Sequence, residues 1–264
     1  MIPAAAPSFA EPQPTPSEPP AVAATASGPA VARVSPSVDT KPAALRGIDP
    51  ASVEQYRRLA TSLHSLQRQR GIKLVMVTSS VAREGKTFTA ANLAMTFSES
   101  YRRRVLLIDA DMRRPSVHEL FGVQNRIGLG DGLRTPGTTL TLVNSTDHLT
   151  ILTAGRPDPD PMAGLASERM RAVLKEAAER FDWVILDTPP VGMLSDASLI
   201  ASFVDGVVFV VGAGTTERQV VERAINEIGR ERIIGTVLNR VDPVTNPARI
   251  YYHHVDEGSD SYEV

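Results

Sequence analysis

Cysteine is absent from the 264-residue chain. That excludes disulfides, thiolate metal sites and cysteine nucleophiles, and it fits a reducing compartment. An excess of either charge is also lacking: 28 Lys and Arg stand against 30 Asp and Glu, a formal net charge of -2. Proteins that coat nucleic acid are usually strongly basic, so no nucleic-acid partner is predicted. No apolar run reaches the length of a membrane-spanning helix, and the N-terminus lacks the basic and apolar regions of a signal peptide. The expectation is a soluble, cytoplasmic protein. Its hydrophobic content of 42% supports a real core, and its length allows one large domain or two small ones.

The composition is uneven. Residues 1–50 hold 11 of the 20 prolines and 12 alanines, with Phe9 as the sole aromatic. Such a segment buries too little apolar area to offset its ordering entropy. It is predicted to be a disordered Pro/Ala-rich arm, a spacer or a docking tail for a Pro-recognising partner. From Pro50 the pattern changes. A helix is predicted from Pro50 to Gln69, with Val53, Tyr56, Leu59, Leu63 and Leu66 on one stripe and Gly71 closing it. Strand-like runs follow at 74–77, 105–108, 149–152, 183–186, 207–211 and 233–238. Helical patterns lie at 86–98, 167–180, 195–201 and 216–229. Continuous Val/Ile/Leu runs alternating with amphipathic helices predict a doubly wound, mostly parallel α/β sheet covered on both faces. That domain spans residues 51–245, and residues 246–264 are read as a mobile, acidic, tyrosine-containing tail.

The loop Ser79-Ser80-Val81-Ala82-Arg83-Glu84-Gly85-Lys86-Thr87 lies between the first strand run and the next helix. It resembles the P-loop pattern G-x-x-x-x-G-K-[ST], with Ser80 in place of the first glycine. A loop that turns into a helix N-terminus aims several N–H groups at one point, and the helix dipole favours an anion there. Gly85 lets the backbone approach phosphate, Lys86 reaches the β and γ phosphates, and Thr87 offers its hydroxyl to Mg²⁺. Ser80, Arg83, Glu84 and Phe88 complete the predicted nucleotide contacts. The bland alternative is a strand–helix turn with a surface lysine.

Three carboxylates end strand runs: Asp109 and Asp111 in Ile108-Asp109-Ala110-Asp111-Met112-Arg113-Arg114, and Asp187 in Leu186-Asp187-Thr188-Pro189-Pro190. Open α/β sheets bind ligands beyond the C-terminal ends of their strands, so all three can converge on the nucleotide. One or two suit a Mg²⁺ ion, and a further one suits a general base. Each alone reads equally as a helix cap or a turn residue. Arg113 and Arg114 stabilise phosphate charge, contact a neighbouring subunit, or are plain surface residues.

Together these residues resemble the bacterial tyrosine kinases of capsule and exopolysaccharide synthesis. The loop 79–87, the Walker-type motifs 107–113 and 184–190, the stretch Gly155-Arg156-Pro157-Asp158-Pro159-Asp160-Pro161 and Gly235–Arg240 carry the likeness. The Arg-Glu-Gly-Lys-Thr form is similar to the subgroup associated with exosortase-type loci. The resemblance implies an ATP-dependent tyrosine autokinase. Lys86 and Thr87 would hold phosphates and Mg²⁺, and Asp109 would take the tyrosine proton. Asp111 and Asp187 would hold Mg²⁺ with Thr87, Arg113 would assist catalysis, and Asn239 would contact adenine or be a turn residue. Asp196 would belong to a switch segment or cap a helix.

The resemblance also implies a homo-oligomer, a cognate tyrosine phosphatase, and a transmembrane polysaccharide copolymerase that activates the kinase at the inner face of the membrane. Two features depart from the pattern. The family's ring motif Glu-x-x-Arg-x-x-Arg is met by Glu54 and Arg57, but the third place is Ala60, with Arg58 as a substitute on another face. The acceptor cluster is reduced to Tyr251, Tyr252 and Tyr262, beside Asp256, Glu257, Asp260 and Glu263. Two other functions share the motifs. One is an ATPase switch of the partition and septum-site type, whose extra loop lysine is replaced here by Val81. The other is a nucleotide-gated scaffold for a polysaccharide copolymerase.

Overall fold

Eight strands form one sheet in a computed structural model that describes residues 31–35, 50–135, 137–193 and 195–241. They are β1 Val31–Ser35, β2 Leu74–Ser79, β3 Val105–Asp109, β4 Leu140–Asn144, β5 Leu149–Leu152, β6 Trp183–Asp187, β7 Gly206–Gly212 and β8 Ile233–Asn239. Their order across the sheet is β1-β4-β5-β3-β6-β2-β7-β8. All neighbours are parallel except β4 and β5, which form an antiparallel pair.

The central strands are apolar throughout because both their faces are covered. In β2, Val75 and Val77 point to one layer and Met76 to the other. In β3, Val105 and Leu107 share the first layer, and Leu106 and Ile108 the second. The first layer is built by α1 Pro50–Arg70 and α2 Lys86–Glu99, which bury Ala60, Leu63, Leu93 and Phe97. The second contains α4 Leu129–Arg134, α5 Met162–Leu165, α6 Glu168–Arg180, α7 Ser195–Ala201 and α8 Arg218–Ile228. A short α3, Val117–Phe121, follows the end of β3. Phe97 stacks on Trp183 with ring centroids 4.3 Å apart and planes 16° apart, pinning α2 to the start of β6.

Gly71 ends α1 with φ 71° and donates its N–H to Gln67 O, as a helix-closing glycine does. Ala60 is fully buried against the sheet. The third position of the ring motif is therefore a core position in this chain. Glu54 lies 3.7 Å from Arg57 and 3.8 Å from Arg58, so both arginines lean on one carboxylate.

Within the segment read as an arm, Val31–Ser35 pairs in parallel with β4 at the far edge of the sheet. The Val-Ala-Arg-Val alternation fits an edge position, but the prolines around it masked that signal. Residues 1–30, 36–49 and 242–264 lie outside the described residues, the tail and Tyr251, Tyr252 and Tyr262 among them. Among the described residues no helix is long and apolar enough to cross a membrane.

Candidate functional site

The loop from Ser80 to Gly85 joins β2 to α2 and wraps the N-terminus of that helix. Gly85 has φ 93°, a left-handed conformation that disfavours any side chain. A Cβ there would also collide with the side-chain amide of Asn239. Thus the loop that follows β2 is shaped by a residue at the end of β8, two strands away across β7 in the sheet order. Asn239 Nδ2 donates to Glu84 O at 2.8 Å, which commits its nitrogen to the loop and leaves its carbonyl oxygen as the group for a ligand.

Glu84, expected among the nucleotide contacts, instead turns inward. Its Oε2 accepts from Val81 N at 2.9 Å, and its Oε1 accepts from Gly212 N at 2.9 Å and Thr216 Oγ1 at 2.6 Å. A carboxylate would repel phosphate; here three donors hold it inside the loop and tie that loop to the end of β7. Ser80 is fully buried, and its hydroxyl has no hydrogen-bond partner. Phe88, in the first turn of α2, lines the cavity as expected.

Lys86 converges with the carboxylates. Its Nζ lies 2.9 Å from Asp111 Oδ2 and 4.0 Å from Asp187 Oδ1. Thr87 Oγ1 donates to Asp187 Oδ2 at 2.7 Å and sits 3.0 Å from Ser116 Oγ. Burial alone would lower the Lys86 pKa, but Asp187 and Asp111 outweigh it and hold the ammonium above its ordinary value. Burial pushes Asp187 up to about 6, against the pull of Lys86 and the Thr87 hydroxyl.

Asp109 stands behind this cluster, not in it. It is fully buried, and its Oδ2 accepts from Ser116 N and Val117 N, both at 3.0 Å. Its Oδ1 accepts from Asp111 N at 3.2 Å. Burial, then the neighbouring Asp187, pushes its pKa up to about 8. Asp109 therefore anchors the turn into α3, while Asp111 faces the open side.

The residues present suit a divalent metal. Asp187 Oδ1 is buried with no hydrogen-bond partner, next to the Thr87 hydroxyl and across from Asp111. These are hard oxygen donors. Among the described residues no group of three His, Cys, Asp or Glu is arranged to hold a metal by itself. Phosphate oxygens and water would have to complete the shell, as is usual for Mg²⁺.

Around the cluster lies a cavity of about 980 Å³, whose walls include Arg83, Lys86, Thr87, Phe88, Asp111, and Arg113. Arg113 does not point at it freely. It forms a two-point pair with buried Asp196 and donates to Pro159 O. Asp158 N donates to Met112 O at 2.8 Å, and Asp158 also pairs with Arg134 at 2.7 Å. The Pro-rich stretch is thereby fastened to the loop that carries Asp111. Sequence reasoning missed Ser116 and Arg240, which also line the cavity. The pattern Ser116-Val117-His118-Glu119 is a capping signature that would have revealed α3. In the structure the Ser116 hydroxyl serves Thr87 instead of the helix end.

Comparison with known proteins accords with this geometry. Residues 75–255 match the model of the CobQ/CobB/MinD/ParA nucleotide binding domain. Tyrosine-protein kinase YwqD of Bacillus subtilis is 36% identical over 190 residues, covering 70% of this chain and 80% of its own. The kinase domain of the Escherichia coli tyrosine kinase ETK superposes with a TM-score of 0.65 at 31% identity, over 72% of this chain and 77% of that one. The septum-site protein MinD of Pyrococcus horikoshii, solved with Mg-ADP, shares the fold at TM-score 0.56 and 19% identity, over 66% of this chain and 72% of that one.

Proposed function

Because the chain belongs to the CobQ/CobB/MinD/ParA nucleotide-binding family and, within it, to the bacterial tyrosine kinases, we propose that it transfers the γ-phosphoryl group of ATP to protein tyrosine. The observation that carries this reading is the convergence of Lys86, Thr87, Asp111 and Asp187 at the strand ends, beside a phosphate-sized loop. ATP with a divalent metal, which we take to be Mg²⁺, supplies the phosphoryl group and neutralises its charge.

The chain's own residues bind and orient. The N–H groups of the loop and the α2 N-terminus cradle the phosphates. Lys86, now held by two carboxylates, swings to the phosphates when they arrive. Thr87, Asp111 and Asp187 are left to hold the metal. The Asn239 carbonyl oxygen, an acceptor, suits the adenine amino group. Asp109 is the proposed proton acceptor. Below about pH 8 its carboxyl holds a proton of its own, so the task falls to the ionised form, which the Ser116 and Val117 amides must release first. Arg113 positions the loop of Asp111 through Asp196.

The acceptors we propose are Tyr251, Tyr252 and Tyr262 of a neighbouring copy. Control of exopolysaccharide or capsule polymerisation, a transmembrane copolymerase as activator, a cognate phosphatase and a place at the inner membrane face belong to the same reading. The switch-type alternative is disfavoured by Val81, which stands where those ATPases carry a second lysine. Phosphotyrosine mapping by mass spectrometry with MgATP, wild type against Lys86→Met, tests the proposal. Phosphate on tail tyrosines in the wild type alone supports it; ATP consumption with no modified tyrosine refutes it.

A further inference from the structure

The cavity carries positive charge that the nucleotide cluster does not use. Lys86 is balanced by Asp111 and Asp187, and Arg113 by Asp196. Arg83, Arg114 and Arg240 also line the cavity, are exposed, and have no anionic partner among the described residues. Arg83 and Arg240 hold left-handed backbones, with φ 68° and 58°. Such conformations in non-glycine residues carry a strain that tends to collect at functional sites.

These three arginines stand on three separate segments of the cavity wall. Arg83 belongs to the phosphate loop, and Arg240 follows the Asn239 that braces that loop. Both therefore belong to the phosphate-loop part of the cavity wall. Arg114 belongs to the turn after β3: its N–H donates to Asp111 Oδ1 at 3.1 Å, and Ser116, Leu120 and Pro189 share the cavity wall with it. Phosphoryl transfer needs the attacking oxygen opposite the leaving one. An acceptor must therefore enter past Arg114, with apolar Leu120 and Pro189 available to its ring.

We propose that Arg114 is the specificity-determining residue for the acceptor, and that the preferred acceptor is a tyrosine peptide with carboxylates flanking the tyrosine. This rests on the kinase reading above. In the reaction the tyrosine oxygen forms a bond to the γ-phosphorus, the bond to the β-bridging oxygen breaks, ADP leaves, and the phenolic proton passes to an active-site carboxylate. Arg114 takes no part in those bonds; it pairs with the flanking acid and brings the ring into line. Glu119, the exposed acid on the same wall, opposes it.

Three synthetic peptides test this, identical but for Glu, Gln or Lys on both sides of one tyrosine. Phosphotyrosine formation by the full chain with MgATP is measured for wild type, Arg114→Gln, Arg114→Glu and Glu119→Gln. The wild type is expected to favour the Glu peptide over the Gln peptide in kcat/KM by about fivefold, the scale of one well-placed ion pair. That ratio should shrink as salt rises. Arg114→Gln should abolish the preference with KM for ATP unchanged, Arg114→Glu should favour the Lys peptide, and Glu119→Gln should widen the wild-type preference. An unchanged ratio in Arg114→Gln, or a rise in KM for ATP matching the loss with peptide, overturns the assignment. Phosphorylation without charge preference in the wild type overturns this inference alone; no phosphotyrosine on any peptide, with ATP consumed, overturns the kinase reading as well.

Discussion

Arg113 and Asp196, 83 residues apart, are joined at two points: Nε to Oδ2 at 2.7 Å and Nη2 to Oδ1 at 3.3 Å. The arginine follows Asp109 and Asp111 at the end of β3, and the aspartate lies in the first turn of α7 beyond Pro189-Pro190. Asp196 is buried, so Arg113→Ala leaves a carboxylate without its partner. A loss of about 3 kcal/mol in urea unfolding is expected. In a double-mutant cycle, Arg113→Met with Asp196→Leu should lose clearly less than the sum of the single changes. Additive losses would mean that the pair is idle.

Glu84 is a brace, and the choice of replacement tests it. Glu84→Gln offers an N–H₂ where the carboxylate now accepts from Val81 N or from Gly212 N and Thr216. Two donors then face each other in the loop. The expected result is a weaker ATP affinity by about tenfold, on the scale of one lost charge-assisted bond. Isothermal titration with MgATP measures it. Full affinity in the variant would show that the loop keeps its shape without the carboxylate.

Lys86→Met removes the cation between two buried carboxylates. Activity should vanish, and stability should fall most at alkaline pH, where Asp187 is charged. Lys86 lowers the Asp187 pKa, so its loss sends that value above about 6. Protonation then relieves the repulsion, and the deficit relative to wild type should narrow as pH drops from 8 to 5. Thermal melts across that range decide the point; a constant deficit would contradict it.

Asp109 gives a pH dependence of definite sign. Its carboxyl is raised from an ordinary 3.8 to about 8 in the folded chain. Between those values the folded state keeps a proton that the unfolded chain has released. Stability must then decline as pH rises through that window. Asp187 contributes only up to about 6, so the slope from pH 6 to 8 belongs mainly to Asp109. Wild-type melting temperature should fall over that interval, and Asp109→Asn should flatten the curve. A flat wild-type curve would mean that the buried Asp109 carboxyl does not hold its proton in the folded chain.

The central sheet was legible because its strands are buried on both faces and must be continuously apolar. Val105–Ile108 and Trp183–Leu186 announce themselves, and the aspartates that end them mark the site. Strand β4 was missed because Leu140-Thr141-Leu142-Val143-Asn144 is short and half-buried. Its antiparallel return into β5 depends on Thr146, whose hydroxyl accepts from Leu149 N at 3.1 Å, a local turn with no hydrophobic signature. Within the site, residue types pointed to the groups that converge but not to their depth. Asp109 and Asp111 are two residues apart in the sequence, yet one holds backbone amides and the other faces the cavity. The inward turn of the Glu84 side chain was hidden for the same reason: its direction is set by Gly212 and Thr216, more than a hundred positions away.

The stacked pair of Trp183 and Phe97 has a practical consequence. The chain has a single tryptophan, and it sits fully buried at the start of the strand whose last residue is Asp187. Its fluorescence is therefore a one-colour gauge of core integrity at the floor of the domain, far along β6 from the phosphate loop. Occupancy of the cavity leaves that emission almost unmoved, while any opening of the α2 layer shifts it to the red. A ligand titration that is silent by fluorescence yet visible by calorimetry thus reads as binding to a rigid body, not as failure to bind.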